Sequence, residues 1–168
     1  MKNYTVAVLV NNKLGVLNRV TSMFRRRQFN ITALTVSETE SALYSRITVM
    51  FEGEETMKQQ LVNQLYKLPD VCSIKDLNAQ DSVSRELMLI KMKNEPENRR
   101  EIMDAAEVFH AKVVDYHKES FVLQMTADRR RIDDFVDLMR DYTILEICRT
   151  GVVSLERGSS TIRKITNL

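Results

Sequence analysis

Hydrophobic positions along this chain change period in a fixed order. Tyr4 to Val10 (YTVAVLV) is almost wholly apolar and β-branched, the pattern of a strand covered on both faces. Asn11-Asn12-Lys13-Leu14-Gly15 breaks that run. From Gly15 to Arg27 the apolar residues Val16, Leu17, Val20, Met23 and Phe24 fall at i, i+1, i+4, i+7 and i+8, which is one stripe of a helix. Two β-rich runs, Phe29 to Ser37 and Ala42 to Phe51, flank a polar stretch and predict a hairpin. Met57, Leu61, Val62, Leu65 and Leu68 then mark a second helix that stops before Pro69, and Val71 to Leu77 supplies a fourth strand.

The βαββαβ order then begins again. Asn78-Ala79-Gln80-Asp81-Ser82 is the most polar stretch between periodic segments and reads as a linker, placed at residues 79–84. Glu86 to Met92 is a strand, and Ile102, Ala105, Ala106 and Phe109 mark a helix. Ala111 to His117 and Phe121 to Thr126 form a hairpin, Ile132, Phe135, Val136 and Met139 mark the last helix, and Thr143 to Val153 is one closing strand. The expected fold is α+β: two ferredoxin-like βαββαβ sandwiches in tandem, over residues 1–78 and 85–158, with a polar, mobile tail at 159–168. Units of about 75 to 80 residues bury little surface alone, so each is expected to lean on its neighbour or on a partner chain.

Composition narrows the classes. The chain has 168 residues, 43% apolar and 29% charged, with a formal charge of +2, which excludes disorder and demands no polyanionic partner. No run approaches the roughly 18 apolar residues of a membrane span and no signal-peptide core opens the chain, so a cytoplasmic protein is expected. Cys72 and Cys148 lack any metal-ligand or disulfide spacing.

Catalytic chemistry finds little support. His110 and His117 flank one strand at an odd separation, which sets them on unrelated faces. The acidic pairs Glu54-Glu55 and Asp133-Asp134 sit near helix starts, where they complement the helix dipole. There is no GxSxG, GxGxxG or GxxxxGK[ST] motif, so no catalytic or metal residue is assigned. A sandwich of this order is also an RNA-binding architecture, and Arg25-Arg26-Arg27 and Arg129-Arg130-Arg131 are conspicuous. Neither half carries the aromatic RNA-binding signature, however, and the triplets read as the end of the first helix and the start of the fourth, behind Asp128 as a cap, so no nucleic-acid partner is expected.

The turn from the first strand into the first helix is the most informative segment. A helix start offers unpaired N–H groups and partial positive charge, so it can receive a carboxylate, and Gly15 allows a ligand close to the backbone. Asn12 offers both a donor and an acceptor, which suits an amino acid with its ammonium group; the same residues also suit an ordinary turn.

The run Asn12-Lys13-Leu14-Gly15-Val16-Leu17-Asn18-Arg19-Val20, continuing through Phe24-Arg25-Arg26-Arg27-Gln28-Phe29-Asn30-Ile31 to Leu34-Thr35-Val36, resembles the ACT domain of acetolactate (acetohydroxyacid) synthase small subunits. Leu65 to Val71, Arg85 to Lys91 and Arg149 to Gly158 look like that family's later landmarks, in order and spacing. The resemblance implies a non-catalytic regulatory subunit, which activates a thiamine-diphosphate-dependent large subunit and confers feedback inhibition by valine, or by leucine or isoleucine. Thiamine diphosphate, Mg²⁺ and FAD would belong to that large subunit, and this chain would hold no cofactor.

The resemblance further implies a homodimer through paired ACT domains, with the effector at their interface. Asn12 and the backbone of Leu14, Gly15 and Val16 would hold its polar groups from one protomer, Asn30, Ile31 and Thr35 would approach from the other, and Leu17 and Ile31 would line an apolar pocket. Two positions depart from the family pattern: Gln28 stands where many members carry Gly, and Leu14 replaces a Pro or small residue. The second half lacks a matching Asn-x-x-Gly turn and is expected to support the dimer and the large subunit. A free-standing ACT-type amino acid sensor with another partner is the alternative.

Overall fold

The computed structural model describes residues 2–77 and 81–163. Its elements, in chain order, are β1 (Lys2–Asn11), α1 (Val16–Arg26), β2 (Ile31–Glu38), β3 (Tyr44–Gly53), α2 (Glu55–Leu65), β4 (Val71–Asp76), β5 (Ser82–Lys93), α3 (Arg99–Phe109), β6 (Lys112–Tyr116), β7 (Ser120–Ala127), α4 (Arg129–Met139), β8 (Ile144–Arg149) and β9 (Val153–Glu156). Through β8 this is the twice-repeated βαββαβ order read from the periodicity. The chain separates into two units, one of residues up to Val83 together with those from Val153 on, the other Ser84–Val152.

In the first unit an antiparallel sheet of order β2-β3-β1-β4 carries α1 and α2 on one face. Val8 pairs with Ile47 and Ile74 in register, and these residues close over Val16, Val20, Phe24, Leu61 and Leu65 from the helices. Val6 to Val10 are all at or below 4% exposed, as the unbroken apolar run of β1 requires. Burying Ala7 and Leu9 needs a cover on the helix-free face, and the C-terminal segment supplies contacts there. Arg46, opposite Leu9, donates to the Ser154 carbonyl at 2.6 Å, and Lys75, opposite Ala7, pairs with Glu156 at 3.1 Å.

That strap corrects one expectation. The single closing strand Thr143 to Val153 is instead two strands, broken at Gly151, whose φ of 78° lies in the left-handed region that a residue without Cβ adopts freely. β9 then pairs with β5, whose first residues, Ser82 and Val83, belong to the first unit with it. By contacts the residues from Val153 on group with the first unit. The tail is also anchored where it is described: Ser160 bonds Glu156 at 3.0 Å, and Arg163 pairs with Glu40 at 2.9 Å and stacks over Tyr44. Residues 164–168 of the expected tail, and 79 and 80 of the expected linker, lie outside the described residues.

The second unit has the strand order β6-β7-β5-β8, with α3 and α4 enclosing a core of Met88, Ile90, Met92, Phe121, Leu123, Ile132 and Phe135. Asp128 caps α4 by accepting from the Arg131 N–H at 3.0 Å, as its place before the basic triplet predicts. α1 and α3 both end through a residue at positive φ, Gln28 at 56° and His110 at 58°. In each case the next N–H reaches back to the last helical turn, Phe29 to the Phe24 carbonyl and Ala111 to the Ala106 carbonyl.

Candidate functional site

The β1–α1 turn has no group of its own to answer the helix charge. Gly15 is the N-cap of α1 at φ 81°, with no side-chain cap, and the first turn holds no acidic residue. The remaining helix starts have Asp128 as a cap in α4 or a first-turn Glu in α2 and α3. The first intrahelical bond of α1 runs from Arg19 to the Gly15 carbonyl at 3.0 Å, which leaves the Leu17 and Asn18 N–H groups outside the helix's own ladder. A partial positive charge with open donors is thus presented at this one turn.

Asn12 performs a structural task beside it. Its side-chain amide donates to the Ala42 carbonyl at 3.1 Å, and its backbone N–H to the Leu43 carbonyl at 2.8 Å, so it grips the β2–β3 loop. The side-chain carbonyl is the part of Asn12 left to face a ligand. Leu14 is fully exposed, Leu43 largely exposed and Leu17 partly so, while Val16 is buried in the core. Val16 can therefore contribute its backbone alone.

Asn30, Ile31 and Thr35 are elsewhere. They lie at and along β2, the edge strand, where Ile31 pairs with Phe51, itself opposite Tyr4 at the start of β1. Asn11, at the other end of β1, is opposite Tyr44. Seven residues of β3 separate those levels, about 23 Å at the rise of a strand. Within one chain the residues from Asn12 to Leu17 and the pair Asn30–Ile31 therefore form two groups at opposite ends of the sheet, with Thr35, opposite Thr48, midway between them.

Ion pairs explain the sequence landmarks that lie apart from this turn. Arg19 of α1 pairs with Asp70 at 2.5 Å, tying the helix to the loop before β4, whose Asp70 carbonyl also accepts from the Asn11 N–H at 2.9 Å. In the second unit Arg149 donates from Nε and Nη2 to the two oxygens of Glu86, at 2.8 and 2.9 Å, and from Nη1 to Asp133 at 2.7 Å. The bonds to Glu86, and then to Asp133, lift the Arg149 guanidinium well above its ordinary value against the opposing effect of burial. The acidic pair Asp133-Asp134 thus includes a salt-bridge partner inside α4. His117 lies near Asp115 at 3.4 Å, and His110 ends a helix; among the described residues no group of three or more His, Cys, Asp or Glu could hold a metal ion. No helix among the described residues is long and apolar enough to cross a membrane.

Two ferredoxin-like units stand in tandem, and the first opens on a helix start with open N–H groups. Residues 6–73 match the family model "AHAS small subunit-like ACT domain", and residues 85–158 match "Small subunit of acetolactate synthase". The chain is 44% identical to a probable acetolactate synthase small subunit of Archaeoglobus fulgidus over 93% of this chain and 98% of that protein. Against the acetolactate synthase small subunit of Bacillus subtilis it is 42% identical, over 92% of this chain and 90% of that one. The crystal structure of the Thermotoga maritima small subunit superposes with a TM-score of 0.87 at 33% identity, covering 95% of this chain and all of that one. The chain belongs to the acetolactate synthase small-subunit family. Membership implies a catalytic large subunit as partner.

Proposed function

We propose that this chain activates the large subunit of acetolactate synthase and makes it sensitive to valine, which is held between two ACT domains. Thiamine diphosphate, Mg²⁺ and FAD belong, in this reading, to the large subunit. The observation that carries the reading is the separation of the two candidate groups. Two copies related by a two-fold axis along their β2 edges run antiparallel, so the Asn30–Ile31 end of one strand meets the Glu38 end of the other, beside the Asn12 turn. The effector carboxylate then faces the open N–H groups at the start of α1, and Ile31 of the second copy closes an apolar pocket over Leu17. Exposure of Leu14 and Leu43 supports a surface that another chain covers.

Discrimination among valine, leucine and isoleucine rests on about one methylene, worth some 1–3 kcal/mol, so valine is the first of three ligands to test. The experiment is valine inhibition of the reconstituted enzyme with Gly15→Asp and Asn30→Asp. A Cβ at Gly15 would meet only the Arg19 Nη1 at 3.8 Å, so the substitution fits sterically and its cost is the positive φ, about 1 kcal/mol and less for Asp. Each new carboxylate faces the effector's own, and half-inhibition should require about tenfold more valine while activation persists. Unchanged inhibition by valine would overturn this placement of the site.

A further inference from the structure

A second surface of the first unit has the character of a binding site; it begins at Asn18, next to the effector turn, and runs to the far end of α1. Between α1 and α2 lies a cavity of about 510 Å³, walled by Arg19, Arg26, Arg27 and Lys67 over a floor of Met23 and Leu68. A neighbouring cavity of about 390 Å³ is lined by Phe29 and shares Arg27 and Gln64 with the first, so the two form one trough. Arg19 is committed to Asp70, and Arg27 donates to Gln64 at 3.2 Å. Among the described residues no carboxylate pairs with Arg26, Arg27 or Lys67.

Cations in the last turn of a helix complement its dipole, which accounts for Arg25 and Arg26 in part. It accounts in part for Lys67 too, which follows α2, but not for an apolar floor between the charges. From Arg19 to Arg27 the helix rises about 12 Å. That spread suits charges distributed along a chain better than one compact anion, and the floor suits an apolar side chain seated among them.

We propose that this trough docks an acidic segment of the catalytic subunit, with carboxylates facing Arg26, Arg27 and Lys67 and an apolar residue over Met23 and Leu68. The proposal rests on the small-subunit reading above and adds a surface to it. Charge complementarity carries the assignment: a chain of net charge +2 gathers three unanswered cations here, and such a patch speeds encounter and holds register with an acidic partner.

The test is association of the full chain with its catalytic subunit, measured at low and high salt, for the native chain, for Arg26→Glu/Lys67→Glu and for Lys118→Glu, an exposed cation of the second unit. Valine binding to each small subunit alone and binding of a labelled single-stranded RNA are measured beside it. The trough variant should associate about tenfold more weakly at low salt, with a shallower salt dependence, while its valine affinity, its unfolding midpoint and the Lys118→Glu variant stay near native. Trough-variant association within about twofold of native, when the native chain binds well, would overturn the docking assignment and leave the family reading standing. RNA bound through these cations, with subunit association unaltered, would overturn it as well. Failure of the native chain to associate at any salt would overturn both readings.

Discussion

Arg149→Met leaves the Glu86 carboxylate of the second unit without its cation. Glu86 is 3% exposed and held at both oxygens, and the Arg149 side chain is 27% exposed. Removing one partner of a buried pair costs about 3–5 kcal/mol, because the remaining charge stays desolvated. Asp133 loses a partner too, but its side chain is nearly half exposed and keeps Arg129 at 3.7 Å, so that loss is about 1 kcal/mol or less. With a urea dependence of about 1–2 kcal/mol per M for a unit of this size, the midpoint should fall by about 2 M or more. The double variant Arg149→Met/Glu86→Leu removes both charges and should lie within about 2 kcal/mol of the native chain.

Urea unfolding followed by circular dichroism should show the deficit of the single variant and its recovery in the double. A single variant as stable as the double would refute the reasoning.

Further outcomes follow from local geometry. Gln28→Gly should raise stability by about 0.5–1 kcal/mol in thermal unfolding, because Gln28 occupies φ 56° at the end of α1. Asp128→Ala should cost about 1 kcal/mol by removing the cap that accepts from Arg131, and Asp128→Asn should restore most of it. The hydrogen bond from Lys75 holds the Glu156 carboxyl below its ordinary value. This contact therefore stabilises the strap above about pH 4.5 and is lost as pH falls through the lowered folded-state value, so hydrogen exchange at the β9 amides should accelerate there. Glu156→Gln should make that exchange faster at neutral pH and remove its acid step.

Period and punctuation are local, and they carried much of the architecture. The stripe Val16, Val20, Met23 and Phe24 is the buried face of α1, and the unbroken run Val6 to Val10 is a central strand covered on both faces. Asp128 reads as a cap from its position alone. The β1–α1 turn was also legible, since a glycine and an asparagine between a strand and a helix state a backbone geometry in advance. What covers Ala7 and Leu9 was not, because nothing near β1 in sequence points to Ser154 or Glu156. Nor does Thr143 to Val153 announce its break: Gly151 fits a strand pattern until the chain beyond it finds partners in the first unit.

The same division separates the two groups of candidate residues. Composition and spacing single out Asn12 and Gly15, but only strand register sets Asn30 and Ile31 about 23 Å from their level in one chain. The trough between α1 and α2 likewise needs two helices to converge before Arg26 and Lys67 become neighbours across a cavity. By itself the sequence determined the elements, their order and the chemistry available at the first turn, since these depend on neighbours within a few residues. Tertiary structure alone decided which distant charges meet, as Arg149 meets Glu86 across 63 positions, because desolvation and ion pairing depend on distance in space.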